Sequence, residues 1–385
     1  MTKIASRRSA RNGGPLGKAT ASLAALVAAG AAVALAAGPA SAAATPWEKV
    51  NTPKEGDRTL RDYVPLQGDT GVGMTEAGRS GEGEKYHYWL RDGKNWKQLP
   101  TVSDHAWSRA NALTGTSAND VWVMEEIYQK PVLVNHWNGS AWENRSPAEQ
   151  GLQLRDAKPV KANDLWAVGQ VRVAGAQANP AAVGHWDGKD WKVTKLPQAA
   201  GGSSSLSAVH VNSAADVWAV GNTCKDLDGK DCRPYVVKWD GASWQEVSTP
   251  VASGTIDKVV GRAANDLWVS GKDTAGAFAL HWDGKSWTRA DVKVPGIEKV
   301  GSLTYHNGQL HAGLNSAYYA NKGAVVRWNG NDWEKLDNPV ESFSNINRLT
   351  TAPDGSLWSV GATYVPFWEP TYQYFVGKLA APAAR

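Results

Sequence analysis

The segment "NDLWAVG", Asn163 to Gly169, followed after a loop by "HWDGKDWKVTKLP", His185 to Pro197, decides the fold. It returns as "ADVWAVG … KWDGASWQEVSTP" (Ala215 to Pro250) and as "NDLWVSG … HWDGKSWTRADVKVP" (Asn265 to Pro295). An earlier copy reads "NDVWVME … HWNGSAWENRSP", Asn119 to Pro147, and looser ones span Tyr88 to Pro100 and Gly308 to Pro339. The second Trp of each hairpin falls at 96, 142, 191, 244, 287 and 333, at intervals of 46, 49, 53, 43 and 46. One further interval back reaches Trp47, which opens "WEKVNTP" and nearly duplicates "WEKLDNP" at Trp333 to Pro339. Self-similarity at this period marks a repeat architecture.

Each unit decodes as four short strands. An alternating segment such as "SLSAVHV" (Ser205 to Val211) is strand A, and "DVWAVG" is strand B. After a variable loop, "PYVVKW" is strand C, and an Asp-Gly or Asn-Gly turn leads to strand D, "SWQEV". Asp-Gly and Asn-Gly accept the positive φ that a tight hairpin demands. No segment carries a 3.6-residue apolar period long enough for a helix. The last unit, "SNINRLTTAPDGSLWSVG … YQYFVGKL", stops without a strand D. The reading is therefore an all-β, seven-bladed β-propeller whose last blade is closed by the N-terminal strand Trp47–Pro53. A β-sandwich is the structural rival, and it gives no reason for a fixed Trp register.

Residues 1–42 read as a signal peptide: Lys3, Arg7, Arg8, Arg11 and Lys18 precede an Ala/Leu/Val run that ends at Ala40-Ser41-Ala42. That expectation makes 43–385 the propeller and the protein secreted. Ser6-Arg7-Arg8 hints at twin-arginine export but lacks the usual apolar residues after the pair. The leader holds five of the 41 basic residues and no acid, so residues 43–385 carry 36 basic against 37 acidic groups. The net charge of +4 thus belongs to the leader, and neither a nucleic-acid partner nor membrane insertion is expected. Cys224 and Cys232, eight apart, are expected to pair as a local disulfide in an exported chain.

Seventeen of the 20 Trp occupy three repeat positions, as packing between blades demands. The Asp before each [LV]-W is expected to form the turn. Trp89, Trp107 and Trp368 fall outside the register. Trp107 lies where strand D hands over to strand A, and Trp368 and Tyr372 lie in the aromatic segment Thr363 to Tyr374. With Tyr128, Tyr318 and Tyr319 of other B–C loops, they would share one rim, where aromatic faces suit sugar C–H groups or a peptide. Plain loop packing is the alternative. Counting back from each A–B turn places Arg61, Asn111, Arg155, Ser207, Asp257, Val300 and Asn347 on the channel wall. The two "LRD" pairs, Arg61–Asp62 and Arg155–Asp156, either contact a ligand or satisfy one another, and the second is the expectation.

No G-x-S-x-G, H-E-x-x-H or C-x-x-C motif is present, and no catalytic residue or cofactor is expected. Asp226, Asp228 and Asp231 around Gly229 resemble the acidic half of a calcium loop, but the distal bidentate Glu is missing. A solvated turn is the alternative reading there.

The motif D-[LV]-W-[AV]-V-G … [HK]-W-[DN]-G-x-x-W, repeated across residues 43–385, resembles secreted seven-bladed propellers of actinobacteria that are described as lectin-like. Among these it looks most like the lectin-type subunits of umbrella toxin particles. The resemblance implies a non-enzymatic targeting subunit that binds a surface glycan and docks a protein partner. It transfers no sugar-binding residue, because the shared motif is structural. A lyase-like carbohydrate-active enzyme and a scaffold without sugar affinity are the rivals.

Overall fold

The computed structural model describes residues 47–53, 60–77, 85–102, 108–127, 130–197, 202–229, 231–316, 323–336, 345–365 and 371–381. The expected signal peptide lies outside them. So do Trp107, Tyr128, Tyr318, Tyr319, Trp368 and the side chain of Tyr372.

Twenty-eight strands form seven four-stranded antiparallel sheets, with no helix among the described residues. The third blade is representative: β10 (Leu152–Lys161), β11 (Asp164–Val171), β12 (Ala181–Trp186) and β13 (Trp191–Lys195) pair in sequence order from the inside outward. The hairpin glycines between strands C and D, such as Gly188 and Gly241, adopt φ of 96° and 97°, as the Asp-Gly turns demand.

The seventh blade departs from sequence order. Its strands are β26 (Asn345–Thr351), β27 (Leu357–Val365), β28 (Thr371–Leu379) and then β1 (Glu48–Val50). Glu48 pairs with Lys378 and Val50 with Val376, so "WEKVNTP" is the missing strand D. Trp96 Nε1 of the first blade donates to the Asn51 carbonyl at 2.9 Å, which ties the inserted strand to its next neighbour.

Apolar cores sit between blades rather than within them. One cluster joins Trp166, Val168 and Val183 of the third blade to Leu206, Val217 and Tyr235 of the fourth. Trp122, Trp166, Trp218 and Trp268 of strand B each lie 5.6–5.9 Å from the strand-C Trp of the following blade, as for Trp122–Trp186 and Trp218–Trp282. Such aromatic pairs stabilise beyond the area they bury.

The Asp before [LV]-W does more than turn the chain. Asp120 Oδ1 accepts from Trp122 Nε1 at 3.1 Å and lies 2.8 Å from His136 Nε2, while Oδ2 accepts from Thr116. His136 stacks on Trp122 with ring centroids 4.3 Å apart. The Asp164–His185–Trp166 and Asp266–His281–Trp268 groups repeat that stack, and Lys238 replaces His over Trp218. Burial opposes the Asp120 charge, but the hydrogen bonds from His136, Thr116 and Trp122 outweigh it and hold the carboxyl below its ordinary range. The repeated Asp and His are thus structural clamps.

The seam between the seventh and first blades uses other residues. Arg91 stands where the repeat has its strand-C Trp, opposite Trp96 across the hairpin. Its guanidinium lies 5.1 Å over the Trp358 ring and donates to Asp69 at 2.7 Å.

Candidate functional site

Strand A of every blade faces the axis, and each carries a β-bulge that breaks its ladder with strand B. The unpaired residues are Arg61, Asn111, Arg155, Ser207, Asp257 and Asn347, six of the seven positions read from the sequence. A bulge leaves its extra residue outside the ladder and re-aims its side chain. All but Asp257 line a central cavity of about 600 Å³. In the sixth blade the expectation fails: Val300 pairs with Leu314 and is buried at 3% exposure, and the bulged channel residue is Gly301. Four blades carry a second extra residue beside the A–B turn, for example between Pro159 and Lys161. In β22 (Ile297–His306) the ladder runs unbroken from Ser302 to the turn, so an equal count lands one residue too far.

The two "LRD" pairs do not satisfy one another. Arg61 donates to Glu76 at 2.6 Å, whereas Asp62 receives both Nε and Nη2 of Arg348 at 2.5 and 2.8 Å. Residues 62 and 348 lie 286 positions apart, so this bidentate pair bridges the seam. Burial works against the Arg348 charge, and Asp62 more than restores it, raising the pKa. Asp156 accepts from the Val209 amide of the next blade at 3.0 Å. Asn111 likewise donates to the Leu154 carbonyl at 2.8 Å.

A second cavity of about 670 Å³ opens between the third and fourth blades, on the rim formed by B–C loops and the starts of strand A. One wall is the loop around Val173 and Gly175, and the other is the Cys224–Cys232 loop with Leu227. Val173 (44%) and Leu227 (53%) are the exposed large hydrophobic residues among those described. The floor is hydroxyl- and amide-rich: Ser203, Ser205, Ser207, Gln170 and Asn222. The Ser205 hydroxyl is buried there without a hydrogen-bond partner among the described residues. Arg155 and Ser207 border both cavities, so the groove runs into the channel.

The expected disulfide is present, with Cα atoms 4.0 Å apart, and it fixes the groove wall. Asp226 Oδ1 accepts the Asp228 amide at 3.0 Å, a local turn contact. Among the described residues no group of three or more His, Cys, Asp or Glu is placed to hold a metal ion. Sequence reading missed this groove, although a signal was present for one wall: the interval of 53 that contains the Cys224–Cys232 loop is the longest of the series.

No known family profile and no curated protein matches the sequence. Solved structures similar in fold do exist. YCF48 from Cyanidioschyzon merolae is 14% identical with a TM-score of 0.58, covering 87% of this chain and 99% of its own. YCF48 bound to D1 peptide is 15% identical with a TM-score of 0.54, over 88% and 97%. The β-propeller domain of the Trilobed protease from Pyrococcus furiosus is 10% identical with a TM-score of 0.57, over 84% and 94%. These likenesses carry the fold alone. The Trilobed domain has an open velcro topology, whereas β1 closes the ring here.

Proposed function

We propose that this chain is a secreted, non-enzymatic binding module that holds a cell-surface glycan in the groove between the third and fourth blades. The observation that carries this reading is the groove itself, apolar at its edges through Val173 and Leu227 and lined below by hydroxyl and amide groups. Sugars present such a mixture, with C–H faces for apolar contact and hydroxyls for fixed polar partners. The disulfide supports the reading by holding one wall in place without a ligand, which lowers the ordering cost of binding.

A seven-bladed ring offers more rim than one sugar occupies, and the resemblance to lectin-type subunits of umbrella toxin particles makes a protein partner the second ligand. In that reading the chain targets an antibacterial particle to a competitor surface. A peptide also fits the groove edges, and a propeller of similar fold has been solved with a D1 peptide bound.

The test is a glycan array with the wild-type chain and with Leu227→Asp and Trp368→Ala. Selective binding weakened at least 10-fold by Leu227→Asp supports the groove. An array without binding sinks the lectin reading, and depolymerisation of a polysaccharide by the pure protein would make it an enzyme instead. Co-purification of a second protein from culture medium tests the partner; a monomer at every stage argues against it.

A further inference from the structure

The channel wall has a charge imbalance that packing does not explain. Arg61 and Arg348 are matched by Glu76 and Asp62. Arg109, Arg155, Lys158, Lys258 and Lys299 also line the cavity, and none has a salt-bridge partner among the described residues. The nearby carboxylates are engaged by neutral donors. Asp156 takes the Val209 amide, Glu126 takes Asn111 and Gln153, and Asp257 takes Thr255. Residues 43–385 are close to neutral overall, so this is a local concentration of positive charge inside protein walls. Walls of low dielectric focus such a field along the axis.

We infer that the central channel is an oxyanion site, and that it takes the carboxylate or phosphate group of an acidic saccharide. The saccharide part rests on the glycan reading above; the anion part does not. The groove meets the channel at Arg155 and Ser207, so a chain lying in the groove can deliver a charged unit to the axis. Burial pushes the Lys258 pKa down, and Arg348 and Lys299 add to that against the pull of Asp156 and Asp257. Burial and Arg109 likewise lower Arg155, opposed by Glu126. A bound anion relieves this crowding and stabilises the ring in proportion to its occupancy.

The experiment uses four probes: inorganic phosphate, an oligogalacturonate, a glycerol-phosphate oligomer and a neutral maltooligosaccharide. Binding is read by calorimetry and by the shift in melting temperature, at two salt concentrations. The two acidic oligomers separate carboxylate from phosphate. The expected result is tighter binding of one acidic oligomer than of the neutral one, weaker at high salt, and lost at least 10-fold in Arg155→Ala and Lys258→Met. Lys258→Met keeps the side-chain volume, and its melting temperature without ligand shows that the ring is intact. Lys195→Ala, on the outer edge beside Glu149, keeps full binding. Equal binding of neutral and acidic oligomers, unmoved by the channel variants, overturns the inference and leaves the lectin reading intact. Phosphate binding without any saccharide binding sustains the anion site and sinks the lectin reading. No binding of any probe sinks both.

Discussion

The outer and inner edges of the blades follow opposite rules. Outside, the same residues recur: Trp142, Trp191 and Trp287 each donate their indole N–H to a backbone carbonyl of the preceding blade. Inside, no two consecutive bulges carry the same residue, and the sequence runs Arg61, Asn111, Arg155, Ser207, Asp257, Gly301, Asn347. Residues that must fit a neighbouring blade are held to one solution by packing. Residues that face the axis have no ladder partner to satisfy. The fold thus concentrates stability at its periphery and leaves chemical variety at its centre.

Perturbing the two edges should therefore give unequal effects. Deleting Trp47–Pro53 is expected to do most, since it bares the β28 edge and leaves Trp96 without its acceptor. A fall in melting temperature on the order of 10 °C is expected, and an unchanged melting curve would refute the clasp. Trp218→Ala removes a fully buried ring that packs on Trp282 and Trp287 of the next blade. It should cost roughly 3–5 kcal/mol in denaturant unfolding; a cost below about 1 kcal/mol would mean that the belt is not where stability lies.

The third effect depends on pH. His311 of the sixth blade stands at the strand-B position where five other blades have Trp, and its pKa falls from 6.5 to about 4, mainly through burial. His306 and Arg327 contribute to that lowering, and the Gln309 carbonyl partly opposes it. The unfolded chain binds this proton between pH 6.5 and 4 and the folded chain does not, so the stability is present above pH 6.5 and lost as pH falls. At full extent the loss is about 3 kcal/mol. His311→Phe should reduce the slope of stability with pH in that window, and an unaltered slope would remove His311 as its source. The smallest effect is expected at the channel. Arg155→Ala should change stability by less than about 0.5 kcal/mol, because its side chain makes no salt bridge among the described residues. A larger loss would mean that the inner edge carries stability after all.

Legibility in the sequence divided along the same line. Blade number, the β1 closure and five of the channel-lining bulge residues followed from a period in which each Trp marks the same place. Val300 failed because the missing extra residue near the turn is a backbone feature that side-chain spacing does not record. The Asp120–His136–Trp122 clamp was visible as a motif, but its hydrogen bonds depend on strands B and C lying side by side. The groove at Val173 and Leu227 was hidden for a different reason. It arises where two irregular loops of adjacent blades meet, and no repeat position encodes that meeting.

The bulges have a consequence for engineering. Arg155, Ser207 and Asn347 stand outside the strand ladder, so these positions form a natural diversification set. Gly301 is barred from it, since a Cβ there would lie 2.3 Å from the Ile346 carbonyl. A library built on the permitted positions would search ligand preferences on a constant frame, with selection acting on recognition rather than on folding.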